Sequence, residues 1–302
     1  RHDAKFFEHV ILLRFLSPYD DPVAADLDYH NTRAGFQKFT LGHDQHVIAL
    51  NFGAAGWPKG AESHALPAFQ IPRAGASHNV SRLDLLREAD GAPWIVFTGD
   101  IFPGETLPNP EAIKADLTAL MARGCGIVCV HYATGLRAQH VTADGDHPLL
   151  RWMGGYFATG CEHHRSVARV VTATLTPAEV DHPVLRGWKA FTFDDEPYWN
   201  NYFGKDGPDA NVTPLVTTMM PPDAPKKETV VWAVQRPDGG RGLGIVVPHY
   251  FRSWRIADLR TLVLNGICWT AQLEIPAAGV HCTLPDLAKF EPAAVEPQLR
   301  PE

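Results

Sequence analysis

The sequence has no long apolar run, and none of its stretches approaches the about 20 residues that a membrane-spanning helix needs. It also has no cluster of lysine and arginine, and its formal net charge is -7. Nucleic acids and anionic membranes bind concentrated positive charge, so neither is an expected partner. A neutral or cationic small ligand fits better. We expect a soluble protein, either cytoplasmic or exported with its signal removed.

Cysteine is scarce, and the five cysteines are odd in number and stand mostly in apolar runs. This pattern argues against a disulfide framework and indicates core thiols. Cys125 and Cys129 have C-x3-C spacing, but along a strand their side chains are too far apart to share a metal easily. No cysteine metal site is therefore expected.

Compact catalytic motifs are absent as well. The sequence contains no G-x-S-x-G elbow, no Walker loop, no H-E-x-x-H, and no G-x-G-x-x-G after a strand. The stretch G-G-R-G-L-G at residues 239–244 lies between two predicted strands, and we interpret it as a hairpin turn. No nucleotide cofactor is expected.

The apolar run at residues 126–130 is the clearest structural signal. A chain of 302 residues with 45% hydrophobic residues is long enough for one large α/β domain or two small ones. The run is typical of a strand covered on both faces, and the amphipathic pattern at residues 111–123 predicts a helix before it. In open α/β sheets, ligands collect at the carboxyl ends of the strands, so His131 is placed to meet a ligand. The alternative is a core-edge histidine bonded to a backbone carbonyl.

A second apolar run, at residues 242–247, is followed directly by P-H-Y, which contains His249. We predict one domain over residues 1–275 and a proline-rich extension over residues 276–302. Further strands are predicted at residues 9–16, 46–52, 93–98, 167–175, 213–218 and 230–235, and helices at residues 147–155 and 258–273.

Four local features place metal-binding or proton-transferring groups next to glycine or an aromatic residue. Their spacing is irregular, so structural roles stay open: Asp194 as a turn cap, His163 as a solvated side chain, and Trp199 and Tyr202 as core or rim aromatics. The features are His131, the pair His163 and His164, the cluster Asp194, Asp195, Glu196 and Tyr198, and His249.

The order of several short segments resembles the trehalose-utilisation (ThuA-like) family over about residues 93–275, whereas residues 1–92 match it poorly. The resemblance implies a flavodoxin-like α/β fold of the class I glutamine amidotransferase-like superfamily, with a mostly parallel sheet and helices on both faces. It also implies a role in carbohydrate metabolism that is linked to 3-keto sugars. The segments are H-Y-A, H-P-L-L-R-W-M-G-G-Y-F, D-H-P-V, D-D-E-P-Y, W-A-V-Q-R-P-D-G-G-R-G, P-H-Y and L-V-L-N-G-I-C-W-T.

The resemblance further implies a divalent metal, with zinc expected, held by His131, Glu196 and His249, and with His164 facing the site. Amidotransferase relatives carry a nucleophilic cysteine at the turn after the central strand, where this chain has His131. Cys129 should be buried within the strand, so glutamine hydrolysis by that route is not expected. The family's N-terminal loop over the site has as its nearest candidates here His43, His46 and Gly53.

The expected function is that of a carbohydrate-active enzyme acting on a glycoside or 3-keto sugar, as a lyase, isomerase or hydrolase. The alternatives are a non-catalytic carbohydrate-binding or accessory protein, or a structural site in which histidines hold loops together. A sugar is the expected partner, and homo-oligomerisation stays open. The expected catalytic residues are His131, Asp195, Glu196 and His249, and the expected substrate contacts are Tyr132, His163, Tyr198, Trp199 and Tyr250.

Overall fold

The computed structural model describes residues 35–41, 45–52, 94–99, 101–106 and 110–282. The predicted strand at residues 9–16 and the candidates His43 and Gly53 lie outside these ranges. The strands are β1 Gly35–Leu41, β2 Gln45–Phe52, β3 Trp94–Gly99, β4 Gly126–Val130, β5 Gly135–Arg137, β6 Phe157–Thr159, β7 Val167–Ala168, β8 Val171–Pro177, β9 Phe191–Asp195, β10 Tyr198–Trp199, β11 Val212–Met220, β12 Lys226–Gln235 and β13 Arg241–Ile245. The α-helices are α1 Pro103–Thr106, α2 Pro110–Met121, α3 Pro148–Met153 and α4 Ala257–Thr270, and short 3-10 turns include His131–Thr134, Pro183–Leu185 and Phe251–Arg255.

Within the described residues, nine strands form one sheet in the order β1-β2-β3-β4-β13-β12-β11-β8-β9. Strands β2, β3, β4 and β13 are parallel to their neighbours in this group. All the other pairs in the sheet are antiparallel. The α/β class is confirmed, but the sheet is mixed. The mostly parallel sheet that we predicted is found only at its centre.

The centre of the sheet is covered on both faces by helices. All five residues of β4 are buried. In β13, Gly242 lies against the Trp152 carbonyl of α3, whereas its neighbour Leu243 packs against Gly266 of α4. Because successive residues of a strand point to opposite faces, α3 and α4 lie on opposite sides of the sheet.

Most of the predicted elements between residues 93 and 273 are present. The helix predicted at 111–123 is α2, and the one predicted at 147–155 is α3, which ends at Gly154 with a φ of +86°. The hairpin turn predicted at residues 239–244 does join β12 and β13, but it lies slightly earlier, at residues 236–240, because Gln235 pairs with Arg241. The strand predicted at 167–175 is divided, because β7 pairs with β10 while β8 pairs with β9 and β11.

The start of the predicted C-terminal extension packs onto the domain. The Val280 N–H donates to Asn265 of α4, and His281 Nδ1 lies 3.3 Å from the Thr261 hydroxyl of the same helix. All five cysteines are free thiols, as predicted. Among the described residues, the structure contains no helix that is both long and apolar enough to span a membrane.

Candidate functional site

Three side chains that are far apart in sequence converge at the carboxyl end of the central strands. His131 directly follows β4, and His249 comes shortly after β13, which is the parallel neighbour of β4. Glu196 directly follows β9, at the edge of the sheet. The sheet curls enough to bring β9 back to the segment after β13, where Asp195 accepts a hydrogen bond from the His249 backbone N–H.

The three functional groups lie close together and are shielded from solvent. His131, Glu196 and His249 are only 2%, 5% and 7% exposed. One ligand atom from each lies within 4.8 Å of the other two. Glu196 Oε2 lies 3.0 Å from His249 Nδ1 and 4.0 Å from His131 Nε2. The structure therefore brings together the three residues that the family resemblance implies as metal ligands.

The backbone at His131 is unusual for a residue with a side chain. Its φ is +53°, in the left-handed region that non-glycine residues rarely occupy. Strained backbone of this kind clusters at functional sites and persists only where the surroundings impose it. Here the turn is fixed by the Thr134 hydroxyl, which donates to the His131 carbonyl at 2.6 Å.

The His131 ring is held through both of its nitrogens. Nδ1 lies 3.2 Å from the Tyr198 hydroxyl, and Nε2 lies 3.1 Å from the Glu196 backbone carbonyl. The carbonyl contact is the one that a structural histidine at the core edge would make. A metal-bound Nε2 carries no hydrogen and could not donate to this carbonyl, so the contact belongs to the structural interpretation, and the nearby Glu196 and His249 side chains are what favour a site.

Two imidazoles and one carboxylate are a donor set that suits zinc, with a fourth position left for water or substrate. Zinc bonds of about 2.0–2.2 Å in tetrahedral geometry place neighbouring ligand atoms about 3.4 Å apart. The observed 3.0 Å and 4.0 Å separations lie on either side of this value. A metal on His131 Nε2 would leave Nδ1–H to donate to Tyr198, which is the support that ligating histidines normally have.

Asp195 is fully buried, with an exposed fraction of 0%, and its carboxylate accepts from several donors. Oδ1 accepts from the backbone N–H groups of Glu196, His249 and Tyr250 at 2.7, 2.8 and 3.2 Å. Oδ2 accepts from the Ser253 hydroxyl. Burial raises the pKa of Asp195, and the hydrogen bonds from Ser253, Glu196 and His249 act against this effect.

The adjacent histidines of the candidate set have other contacts in the structure. His164 Nε2 lies 2.6 Å from the Asn200 carbonyl, and His163 Nε2 lies 2.9 Å from the Tyr156 hydroxyl. Neither belongs to the three-residue cluster. Burial lowers the pKa of His163, which keeps its ring neutral near pH 7.

The aromatic candidates fall into two groups. Tyr198 and Trp199 are buried, and the Tyr198 ring packs 4.1 Å from Phe157, centroid to centroid. Tyr132 and Tyr250 are partly exposed. Tyr132 and Tyr250 are the more accessible aromatic residues of this set, and the Arg252 guanidinium covers one face of the Tyr250 ring, 4.0 Å from its centroid.

The core cysteine of β4 is placed where the sequence predicted. Cys129 is completely buried, and burial raises the pKa of its thiol well above the ordinary range. The thiolate is the nucleophilic form of cysteine, so a buried thiol of this kind is inert. The turn after the central strand carries His131 instead.

One contributor, Ser253, was missed in the sequence. Ser253 holds Asp195 from a 3-10 turn, and no sequence pattern points to it. The burial of Asp195 could have been predicted from the sequence. Phe191 and Phe193 are buried in β9, and because side chains alternate along a strand, Asp195 lies on the same face. Asp194, one position earlier, is exposed.

Comparisons with known proteins add little to this geometry. No protein-family model and no curated protein matches the chain. Among solved structures, a thua-like protein from Bacteroides uniformis has a TM-score of 0.42 and 15% identity, covering 58% of this chain and 68% of that one. A cytoplasmic protein from Salmonella typhimurium has a TM-score of 0.35 and 11% identity, covering 63% and 72%. Likeness at this level carries no argument about function, and family membership stays a prediction.

Proposed function

We propose that this chain is a ThuA-like carbohydrate-active enzyme that acts on a glycoside or 3-keto sugar at a divalent-metal site. His131, Glu196 and His249 are the proposed ligands, and zinc is the ion that best suits them. The observation that carries the proposal is the convergence of these three groups within 4.8 Å, all of them buried, at the carboxyl end of the central strands. Ligands of α/β sheets collect at this end.

We further propose that the fold is flavodoxin-like and related to class I glutamine amidotransferases. The parallel centre formed by β2, β3, β4 and β13 supports this proposal, as do the helices on both faces. The antiparallel strands β12, β11, β8 and β9 are then an extension of that centre, and they supply Glu196.

The chemistry follows from the positions of the side chains. A divalent ion held here supplies Lewis-acid polarisation of a sugar carbonyl, which acidifies the neighbouring C–H bond. Because the Asp195 oxygens already accept from four donors, we assign proton transfer at the substrate to the Glu196 carboxylate rather than to Asp195. Tyr198 orients the His131 ring, and Tyr132 and Tyr250 offer aromatic surface to a sugar. Elimination, isomerisation and hydrolysis are all compatible with these roles.

The proposal is tested by measuring zinc binding and turnover in the same preparations. Protein stripped of metal is titrated with zinc by calorimetry, and a panel of 3-keto glycosides is assayed for turnover. His131→Ala, Glu196→Gln and His249→Ala each remove one ligand. Changing a residue that only supports a ligand typically lowers metal affinity by about 10–100-fold. Each of these variants removes a ligand itself, so its zinc affinity should fall by more than this, and its turnover should fall as well.

His164→Ala distinguishes the three-residue set from the four-residue set that the resemblance implies. Because His164 contacts the Asn200 carbonyl, we expect the zinc affinity of the His164→Ala variant to stay within about twofold of that of the unchanged protein. Unchanged zinc affinity and turnover in all three ligand variants would contradict the proposed site. Sugar binding without conversion of any substrate in the panel would instead support a non-catalytic binding protein.

A further inference from the structure

A single buried carboxylate links the two segments that carry Glu196 and His249. Asp195 is the last residue of β9, and its backbone pairs with Val171 of β8. Its Oδ1 accepts from the N–H of Glu196 at 2.7 Å and from the N–H of His249, 54 positions further along, at 2.8 Å. The same carboxylate therefore holds the backbone of two of the three proposed ligands.

The remaining acceptor positions of Asp195 are also used. The Tyr250 N–H lies 3.2 Å from Oδ1 and 3.3 Å from Oδ2, and the Ser253 hydroxyl donates to Oδ2. A carboxylate offers about four lone-pair positions, and these donors account for them. Asp195 thus has little acceptor capacity left for a substrate proton or an ion.

We propose that Asp195 is the positioning residue of the site, which sets the separation between the Glu196 carboxylate and the His249 imidazole without contacting the substrate. The inference rests on the proposed function for the identity of the ion. The spacing itself is a property of the protein. Because Asp195 is fixed in the sheet ladder, it transmits the rigidity of β9 and β8 to two irregular segments that would otherwise be free to separate.

The 3-10 turn Phe251–Arg255 takes part in the same arrangement. The Ser253 N–H donates to the Tyr250 carbonyl at 3.1 Å, and its hydroxyl donates to Asp195. This turn begins two residues after His249 and leads into α4. Asp195 therefore ties His249 to the start of a packed helix as well as to the sheet.

The test compares Asp195→Ala with Asn265→Ala. Asn265 of α4 is also fully buried, and it makes three hydrogen bonds, to the Val184 and Arg186 carbonyls and from the Val280 N–H, none of them to a site residue. We expect both variants to lose thermal stability. Only Asp195→Ala should lose zinc affinity, by about 10–100-fold, which is the usual effect of removing a partner that orients a ligand.

Asp195→Asn is the conservative variant. It keeps one carbonyl oxygen for the N–H groups of Glu196 and His249, and its amide faces Ser253, whose hydroxyl can rotate to accept. We expect it to recover most of the zinc affinity that Asp195→Ala loses. Equal zinc affinities in Asp195→Ala and Asn265→Ala would overturn the inference.

A metal-free crystal structure of Asp195→Ala tests the positioning independently of the ion. The separation between Glu196 Oε2 and His249 Nδ1, 3.0 Å in the unchanged protein, should open beyond 4.8 Å. A separation that stays near 3.0 Å would count against Asp195 even if zinc binds. If the unchanged protein binds no divalent metal but the separation opens as expected, the proposed function fails while the positioning role stands.

Discussion

The two ends of the central strands are equally buried and chemically different. At the carboxyl end of β4 and β13, His131, Glu196 and His249 direct their functional groups toward one another. At the amino end, Arg236 is only 5% exposed, and its guanidinium donates to the carbonyls of residues that open or flank the same strands. Its hydrogen bonds reach Cys125 at 2.6 Å, Trp152 at 3.3 Å, and Met121 and Arg241 at 3.4 Å.

This contrast separates a structural cluster from a candidate site. Arg236 also pairs with Asp238, so its charge has a partner and its N–H groups have acceptors. The amino end thus stabilises the fold by joining α2, α3 and the β12–β13 hairpin. At the carboxyl end, two imidazoles and a carboxylate offer ligand atoms within 4.8 Å of one another, a donor set that suits a divalent ion.

The largest effect on stability is expected from Arg236→Met. The substitution leaves several buried carbonyls and Asp238 without their donor, so the free energy of unfolding should fall by about 3 kcal/mol. Urea unfolding measures this loss. Zinc affinity of the folded protein should change less than twofold. A large loss of zinc affinity together with little loss of stability would contradict the division between the two ends.

A smaller effect is expected from Gly240→Ala in the hairpin beside Arg236. A Cβ at Gly240 would lie 1.9 Å from Arg236 Nη2, so the guanidinium must move. We expect a cost of about 1–3 kcal/mol, which is typical of overpacking.

Gly239→Ala is the matched control for the hairpin. Its φ is +86°, but a Cβ there has no neighbour within 4 Å. The expected cost is about 1–2 kcal/mol from backbone conformation alone. In the double variant with Arg236→Met, the Gly240→Ala penalty should shrink while the Gly239→Ala penalty persists. Urea unfolding of the unchanged protein, the three single variants and the two double variants checks this, and an unchanged Gly240→Ala penalty would show that Arg236 is not its cause.

The smallest effect concerns His182, a histidine at the structural end. Its ring lies 4.8 Å from that of Trp269, and its Nδ1 accepts from the Val184 N–H. Burial, and then the charge of Arg241, lower the pKa of His182 to about 4. The unfolded chain therefore binds the proton more readily, and stability is lost as the pH falls from about 6.5 through about 4.

This pH dependence should be weaker in His182→Asn, whose side chain can still accept from Val184. After allowance for the partial exposure of the ring, the difference in the free energy of unfolding between the two proteins should change by on the order of 1 kcal/mol between pH 7 and pH 4. Thermal unfolding at a series of pH values measures it. A parallel pH dependence in the two proteins would contradict the structural role assigned to this neutral histidine.

The sequence predicted the central elements because their patterns are strong and local. The local residue pattern alone predicts the conformation of three elements. They are the apolar run of β4, the amphipathic stretch of α2 and the glycine-rich turn between β12 and β13. The mixed character of the sheet was missed, because the direction of β8, β9 and β11 depends on pairing between distant segments. The half-exposed alternation of β8 is typical of antiparallel strands and was the available signal.

The candidate site was predictable in composition more than in arrangement. His131 and His249 stand where apolar runs end, so the sequence marked both. The acidic cluster did not reveal which carboxylate faces the histidines. That depends on which face of the sheet each residue of β9 points to, and on the curl of the sheet. Two other histidines, His147 and His182, precede prolines and cap short helical turns through their side chains, which explains their structural role.

The central claim is that His131, Glu196 and His249 form one metal site. The most direct measurement is a crystal structure of the protein loaded with zinc, with the anomalous signal recorded at the zinc edge. We expect a peak within about 2.0–2.2 Å of one atom from each of the three side chains, with Asp195 outside the coordination shell. A zinc peak elsewhere, or none at these residues at saturating zinc, would contradict it.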